Sequence, residues 1–523
     1  LNHIELFAGC GGLSLGLELA GITLTLANEL SPMAGETFAF NFLNEDLNQK
    51  AENGDSPKNV FWLSSSYSDL KSRLRENPFQ YPPLGNGISD IPADPSELEG
   101  KLVVGNIIHL NEFLETNPAY LEALRTNFGN GEIDLISGGP PCQSFSLAGL
   151  RKKDCDKNTL PWEFAKFVAS IKPKFVMLEN VSGILRPFRE DGVEYHAWFE
   201  IAKAFAERGF IPLCLHVNAR NVGVPQNRPR FILIGVRQDI FTQVSGQFNH
   251  SEVELFKPSL ELFSSIQSTG QASFSSYKYF DSQNAFDKEL FENSFLHELV
   301  NKPEVSIKEA IDDLKFKKPS KPSKHIKNLN KAFAEHLSSS KHIANHEPRR
   351  NNEHVQRRFR IYQVLSQCSK SAGSEVLGIL QGKSTSLSDL AWQELKGFRF
   401  LKMNGVEETF ESVGSFVEYL GLHPTKKQTQ KALLANSPAP AALSIPDDAC
   451  HYDEEELRTL TVREMARIQS FPDTFVFRSK VTTGGQMRKF EVPQYTQVGN
   501  AVPPLLGHAL GLTLKCLAAK QFK

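Results

Sequence analysis

The sequence predicts an α/β protein, a doubly wound sheet with a second, smaller and irregular domain. Three observations predict it. The first 43 residues alternate strand-like and helix-like text, the same rhythm resumes between about residues 101 and 236, and it dissolves from about 238 to 457 into Ser-, Lys- and Asn-rich text. These shifts divide the chain into 1–237, with an insertion at about 44–100, a variable region 238–457, and a C-terminal segment 458–523 whose last helix returns to the first domain.

The opening elements are IELF as a strand, AGCGGLSLGLELAG as a glycine turn opening a helix, ITLTLANE as a second strand, and SPMAGETFAFNF as a second helix. The polar, Pro-rich text NPFQYPPLGNGISDIPADP marks the insertion. KLVVGNI, IDLISGG, FVMLEN, IPLCLHVN and RFILIGV then supply five more strands, separated by helices such as FAKFVASIK and IAKAFAERG. The last two are joined by the turn-rich NARNVGVPQNRPR and read as an antiparallel pair. In the tail, TVREMARIQSFP is a capped amphipathic helix and PPLLGHALGLTLKCLA an apolar helix opened by prolines.

Composition narrows the function classes. Of 523 residues, 40% are hydrophobic and 23% charged, and no apolar run reaches the roughly 18 residues of a membrane span. No membrane role is expected. The N-terminus enters a strand directly, with no signal-peptide pattern, and the missing initiator Met places the start of the numbering after it. Seven scattered cysteines form no zinc-ligand spacing, so the expectation is reduced thiols, no metal and a cytoplasmic setting. The net charge of −2 averages over an uneven chain. From Lys315 to Arg360 there are thirteen Lys and Arg against three Glu, the pattern of a phosphate-contacting surface or of a solvated linker.

Four motifs carry chemistry. FAGCGG, from Phe7 to Gly12, is a glycine turn between strand and helix that lets backbone N–H groups approach a ligand, and Glu29 ends the next strand where a carboxylate can hold ribose hydroxyls. Gly9 and Gly11 are followed by Ser14 where a dinucleotide fingerprint needs a third glycine, which excludes a nicotinamide oxidoreductase and favours an adenosyl cofactor without phosphates. SGGPPCQSFS holds Cys142 on a stiff turn at a strand end, a setting open to a hydrolase, a redox site or a rigid loop. FVMLENV brings Glu179 to the ligand-holding edge of the sheet. VPQNRPR sets Arg228 and Arg230 on one face of an extended segment, suited to a polar ring edge, a carboxylate or a phosphate.

Together FAGCGG, GGPPCQSFS, ENV, QNRPR, RTLTVREMARIQSFPDTF and QVGNAVPPLL, in this order, resemble the C5-cytosine-specific DNA methyltransferases of restriction-modification type. The resemblance is dense over about 1–236 and 457–523, and the middle region resembles the family's target-recognition segment in position only. It implies a Rossmann-like fold that takes S-adenosyl-L-methionine, and methyl transfer to C5 of a cytosine flipped out of double-stranded DNA. It further implies Cys142 as the nucleophile at C6, Glu179 on the N3 and amino edge, and Arg230 with Arg228 beside it at the O2 edge. The cofactor positions it implies are Phe7, Ala8, Gly9, Cys10, Gly11, Gly12 and Leu13 around the methionine part, Glu29 for the ribose, and Leu30, Asn106 and Ile107 at the adenine. Pro141 and Leu160 stand nearby, and Asn500, Ala501 and Val502 close the site. The family often has an aromatic and an Asp where this chain has Leu30 and Asn106, whose carbonyl can still accept from the adenine amino group. A monomer, with a cognate restriction endonuclease acting separately, completes the expectation. Two alternatives are a tRNA methyltransferase, disfavoured by the large variable segment, and a non-catalytic DNA-binding regulator, disfavoured by intact Cys142, Glu179 and Arg230.

Overall fold

The computed structural model describes residues 1–141, 159–190, 193–337, 342–426, 430–441, 445–447 and 449–521. Nine strands form one sheet: β1 (Asn2–Leu6), β2 (Thr23–Glu29), β3 (Val60–Trp62), β4 (Lys101–Val104), β5 (Leu135–Gly138), β6 (Phe175–Val181), β7 (Phe210–Asn218), β8 (Pro229–Arg237) and β9 (Phe280–Asp281). Their order across the sheet is β9-β7-β8-β6-β5-β1-β2-β4-β3. Only β8 runs against its neighbours, β6 and β7, and the remaining pairs are parallel. Strands such as FVMLE and FILIGV are apolar on both faces because helices cover both. The main covering helices are α1 (Gly12–Leu19), α2 (Pro32–Phe42), α3 (Ile107–Thr116), α4 (Leu160–Ile171) and α5 (Ala197–Glu207).

All seven strands expected from the sequence are present. The two that were not expected, β3 and β9, are three and two residues long, too short to show a periodicity, and they lie at the two edges of the sheet. β3 comes from the 44–100 insertion, which is therefore part of the fold. Its Trp62 is fully buried among Phe38, Leu102 and Val104. The text after residue 238 also differs from its irregular appearance. A helix at His250–Thr269 packs Leu255, Phe256, Leu262 and Phe263 into the core of the sheet, its Asn249 and Glu252 forming a reciprocal cap at the N-terminus.

Further along stand α6 (Lys324–Ala332), α7 (Glu353–Leu365), α8 (Val462–Ile468) and α9 (Pro504–Ala518). α8 opens on a Thr461/Glu464 capping box, yet it is buried on every side. Its charges are accommodated by partners: Arg467 reaches Asp313 at 2.6 Å and Asp473 at 2.7 Å, and Glu464 receives Arg458 at 2.7 Å. α9 lies along α1 at backbone contact. A Cβ on Gly16 would sit 2.3 Å from the Pro504 carbonyl oxygen, so only glycine permits this approach. The last helix thereby brings residues 499–502 over the C-terminal ends of β1 and β2. Among the described residues no single helix is long and apolar enough to cross a membrane.

Candidate active site

A cavity of about 740 Å³ opens along the C-terminal edge of the parallel strands, where open α/β sheets hold ligands. At one end lies the FAGCGG turn. Phe7 adopts φ 56°, a left-handed conformation that is costly for a residue with a Cβ, and its ring stacks on Phe164 with centroids 6.5 Å apart. The turn is held from within. Gly9 N–H donates to Glu29 Oε2 at 2.8 Å, Ser31 N–H to Glu29 Oε1 at 2.7 Å, and Gly11 N–H to the Ala8 carbonyl at 2.9 Å. Burial pushes the Glu29 carboxyl above its usual range, and these N–H donors act against that.

Two of the positions expected at this end have structural contacts of their own. Gly11 does not border the cavity: it caps α1 at φ 94°, and a Cβ there would meet the Phe42 ring at 2.2 Å, so its role is packing against α2. Asn106 borders the cavity, but its Oδ1 already accepts from Ile108 N–H at 3.0 Å as the N-cap of α3. That oxygen is shared rather than free for a ligand. Phe7, Ala8, Gly9, Cys10, Gly12, Leu13, Glu29, Leu30, Ile107, Pro141, Leu160, Asn500, Ala501 and Val502 all border the cavity. Cys10 does so with a thiol that is buried and driven far toward the neutral form. Gly12 is in backbone contact with the C-terminal segment, since a Cβ there would stand 2.3 Å from Val502 O.

At the other end the antiparallel pairing of β6 and β8 sets the chemistry. Arg230 lies opposite Val181, and Glu179 opposite Ile232, so Arg230 and Glu179 are diagonal neighbours on one face. Arg230 Nε stands 2.6 Å from Glu179 Oε1, with both side chains about a tenth exposed. The Nε–H does not point straight at that oxygen, so the contact is charge pairing more than a linear hydrogen bond. Burial lowers the Arg230 pKa and Glu179 opposes this. A Cβ on Gly139 would lie 3.0 Å from Glu179 Oε2, which explains a glycine before the two prolines. Asn180 Nδ2 donates to the Pro140 carbonyl at 3.0 Å and ties the Pro-Pro turn to β6. Cys142 itself lies outside the described residues.

The two arginines do not act on the same partner. Arg228 Nη2 donates to the carbonyls of Gly499 at 2.8 Å and Ala501 at 3.1 Å, fastening the start of β8 to the segment that closes the opposite end. Burial, reinforced by the Arg230 charge, pushes its pKa well down.

The residues fit an adenosyl group. The cavity has the volume of a nucleoside-sized site, the Glu29 carboxylate keeps lone pairs for hydroxyls, and the N–H groups of Gly9 and Gly11 that would face a phosphate are already engaged.

The C-5 cytosine-specific DNA methylase family matches residues 1–60 and 121–516. The chain belongs to this family. Its similarity extends along whole proteins. It is 26% identical to the Type II methyltransferase M.DdeI of Desulfomicrobium norvegicum, covering 98% of this chain and 87% of the relative. It is 24% identical to the Type II methyltransferase M.XorII of Xanthomonas oryzae pv. oryzae (99% and 86%) and 24% identical to M.Bpa9945I of Bacillus paralicheniformis (98% of both). As a C5-cytosine methylase this is an enzyme with a fold built to bind S-adenosyl-L-methionine, and a DNA-binding one.

For a DNA-binding methylase the basic run 315–360 is less exposed charge than its sequence suggests. Lys315 bridges Asp312 at 3.1 Å and Asp453 at 3.0 Å, Lys318 meets Glu455 at 2.6 Å, and Arg360 meets Glu454 at 3.2 Å. Arg357 is buried against Glu353. The acidic stretch DEEE at 453–456, distant in sequence, pairs with three cations of the run, Lys315, Lys318 and Arg360. Lys324, Lys327 and Lys331 remain exposed along one face of α6. Residues of the methylase site that the sequence did not single out are Asn180, visible within ENV, and the cavity-bordering Pro78, Phe79, Arg488 and Lys489, which lie in text without periodicity.

Proposed function

We propose that this methylase transfers a methyl group to C5 of a cytosine flipped out of a specific site in duplex DNA, through a covalent bond between Cys142 and C6, and that it protects that site from a separate restriction endonuclease. The observation that carries the reading is the Glu179–Arg230 pair at the cavity edge, held against the turn that leads to Cys142. The cofactor, when bound, supplies an electrophilic methyl group on sulfonium.

The protein's residues account for the rest. The Cys142 thiolate adds to C6, and the electron pair displaced from the C5–C6 bond makes C5 nucleophilic. Glu179 holds the N3 and amino edge of the base and Arg230 the O2 edge, so that the charge gathering on the ring meets a buried guanidinium. After C5 is methylated, its proton leaves to water and the C6–sulfur bond breaks, which restores the aromatic ring and the thiolate. Phe7 to Cys10, Gly12 and Leu13 line the methionine part, Glu29 the ribose diol, and Leu30, Asn106 and Ile107 the adenine, with Pro141, Leu160 and Asn500 to Val502 completing the wall. Arg228 fastens β8 to that wall and so keeps the base-holding and cofactor-holding ends in register. Extruding a cytosine costs a few kcal/mol, which contacts from the exposed lysines of α6 to phosphate offset.

Duplex DNA bearing 5-fluorocytosine at the target tests the reading, because fluorine cannot leave as a proton does. With S-adenosyl-L-methionine the wild-type protein forms a denaturation-resistant adduct and Cys142→Ser forms none. An unchanged methylation rate in Cys142→Ser, or no adduct on a bound site, would overturn the nucleophile assignment.

A further inference from the structure

Four carboxylates border the cavity among the described residues, and the fold engages each of them. Glu29 accepts from the Gly9 and Ser31 N–H groups, Glu5 from the Ser14 hydroxyl, Glu179 pairs with Arg230, and Glu491 with Lys480. Of the arginines on the wall, Arg230 and Arg228 are engaged too, and Arg488 Nε donates to the Thr483 carbonyl at 3.3 Å. Arg186 is the exception. Its exposed guanidinium has no partner among the described residues, and it borders the cavity with Ser182 and Gly183, just beyond the end of β6 that carries Glu179. Its backbone, by contrast, is fixed. The turn Ser182–Leu185 is pinned by the fully buried Ile184 and closed by Arg186 N–H, which donates to the Gly183 carbonyl at 3.1 Å. Pro187 then holds Arg186 extended, at φ −85° and ψ 127°. A fixed turn thus presents an uncompensated cation at the rim of the base-holding end.

What that cation meets follows from the covalent structure of a nucleotide. A cytosine is joined to its phosphate through a single sugar, so a ring seated against Glu179 and Arg230 leaves its own backbone at the cavity mouth. A guanidinium is the complement of a phosphate, which it meets through charge-assisted and often bidentate hydrogen bonds. We propose that Arg186 grips a phosphate flanking the extruded cytosine, so that the turn after ENV holds the flipped nucleotide by its backbone while Glu179 and Arg230 hold its base. This rests on the base-flipping reading given under Proposed function.

Neutral methylphosphonate linkages test the contact directly. The probe is a duplex containing the site that the wild-type enzyme methylates, mapped by bisulfite sequencing, with the linkage on either side of the target cytosine made neutral one at a time. Wild-type protein, Arg186→Ala, Arg186→Lys and Arg189→Ala are compared by duplex binding in the presence of S-adenosyl-L-homocysteine. Arg189 is the control, being also exposed on this segment but not bordering the cavity. Arg186→Ala should bind the native duplex roughly tenfold more weakly, with a salt dependence shallower by about one counterion. It should lose nothing further to the neutral linkage that costs the wild type the same factor. Arg186→Lys should keep the salt slope, Arg189→Ala should match the wild type, and Arg186→Ala should keep its melting temperature and its affinity for S-adenosyl-L-homocysteine. Additive losses from the substitution and the neutral linkage, an equal loss in Arg189→Ala, or weaker S-adenosyl-L-homocysteine binding by Arg186→Ala overturns this inference alone. A wild-type enzyme that methylates no duplex site overturns the base-flipping reading and this inference with it.

Discussion

The two ends of the cavity are built from different materials. The FAGCGG end is made of backbone and missing side chains: Gly12 lies where a Cβ would be 2.3 Å from Val502 O, and Glu29 is fixed by backbone N–H groups. The ENV end is made of charged side chains, Glu179 against Arg230, set by strand register rather than by close backbone approach. The first end should therefore respond to volume and the second to charge.

Glu179→Gln is the strongest test, because it removes the charge and keeps the volume. Single-turnover methyl transfer should slow by about 10²–10⁴-fold, the range for loss of a positioned acid or base, while S-adenosyl-L-homocysteine binding stays within threefold. Arg230 is left without its counter-charge in a buried position, so the melting temperature should fall too. Equal losses of rate and cofactor affinity would mean that the two ends are not separable.

Glu5 is an ionisable group built into the volume-sensitive end. It borders the cavity, receives the Ser14 hydroxyl, and burial pushes its pKa up to about 8 from 4.5. Below pH 4.5 folded and unfolded chains both hold this proton and its contribution is fully present. Between 4.5 and about 8 the unfolded chain releases the proton and the folded one keeps it, so stability is lost as pH rises, on the order of 1 kcal/mol per pH unit. Glu5→Gln cannot titrate. Urea unfolding at pH 5, 6.5 and 8 should show the variant gaining on the wild type by a few kcal/mol across the series. A constant difference would show that Glu5 is ionised inside the fold and that this end, too, is governed by charge.

Gly12→Ala comes next. Two backbones must separate to admit the methyl group, at a cost of about 1–3 kcal/mol. The cost should appear as a lower melting temperature and weaker S-adenosyl-L-homocysteine binding. The residual rate at saturating cofactor should be far less affected than in Glu179→Gln. For stability alone Gly9→Ala is the control: no protein atom lies within 4 Å of its Cβ and only its φ of 58° resists, at about 1 kcal/mol, while its place on the cavity wall leaves cofactor binding outside the comparison.

This division also explains what the sequence disclosed. The order of strands and helices was legible because both-face burial writes long apolar runs, as in FVMLE and RFILIGV. Glu179 and Arg230 were legible because a charged residue ending such a run stands out. β3 was not, being three residues long, nor was Phe79, which sits in Pro-rich text where no period exists. Long-range pairing was invisible for a different reason. Nothing local reveals that Lys315 will meet Asp453 or that Arg228 will reach Gly499. A sequence shows which groups are present, and only the fold shows which are already engaged.

Asn180 gives the finest test of the contrast, because it belongs to the charged end and carries no charge. Its Nδ2 bond to the Pro140 carbonyl, 3.0 Å long, fixes the turn against β6, beside the Glu179–Arg230 pair. Asn180→Ala removes this neutral hydrogen bond together with the one its Oδ1 accepts from Val181 N–H, about 1 kcal/mol each, and leaves a buried carbonyl without that donor. If charge governs this end, methyl transfer should fall by about tenfold or less, well short of Glu179→Gln. Asn180→Asp would keep the size but replace the donor by a second carboxylate beside Glu179, and should be worse than alanine. A loss in Asn180→Ala as deep as that of Glu179→Gln would reverse the argument: the position of the Pro-Pro turn, rather than the charge of the pair beside it, would then limit the reaction.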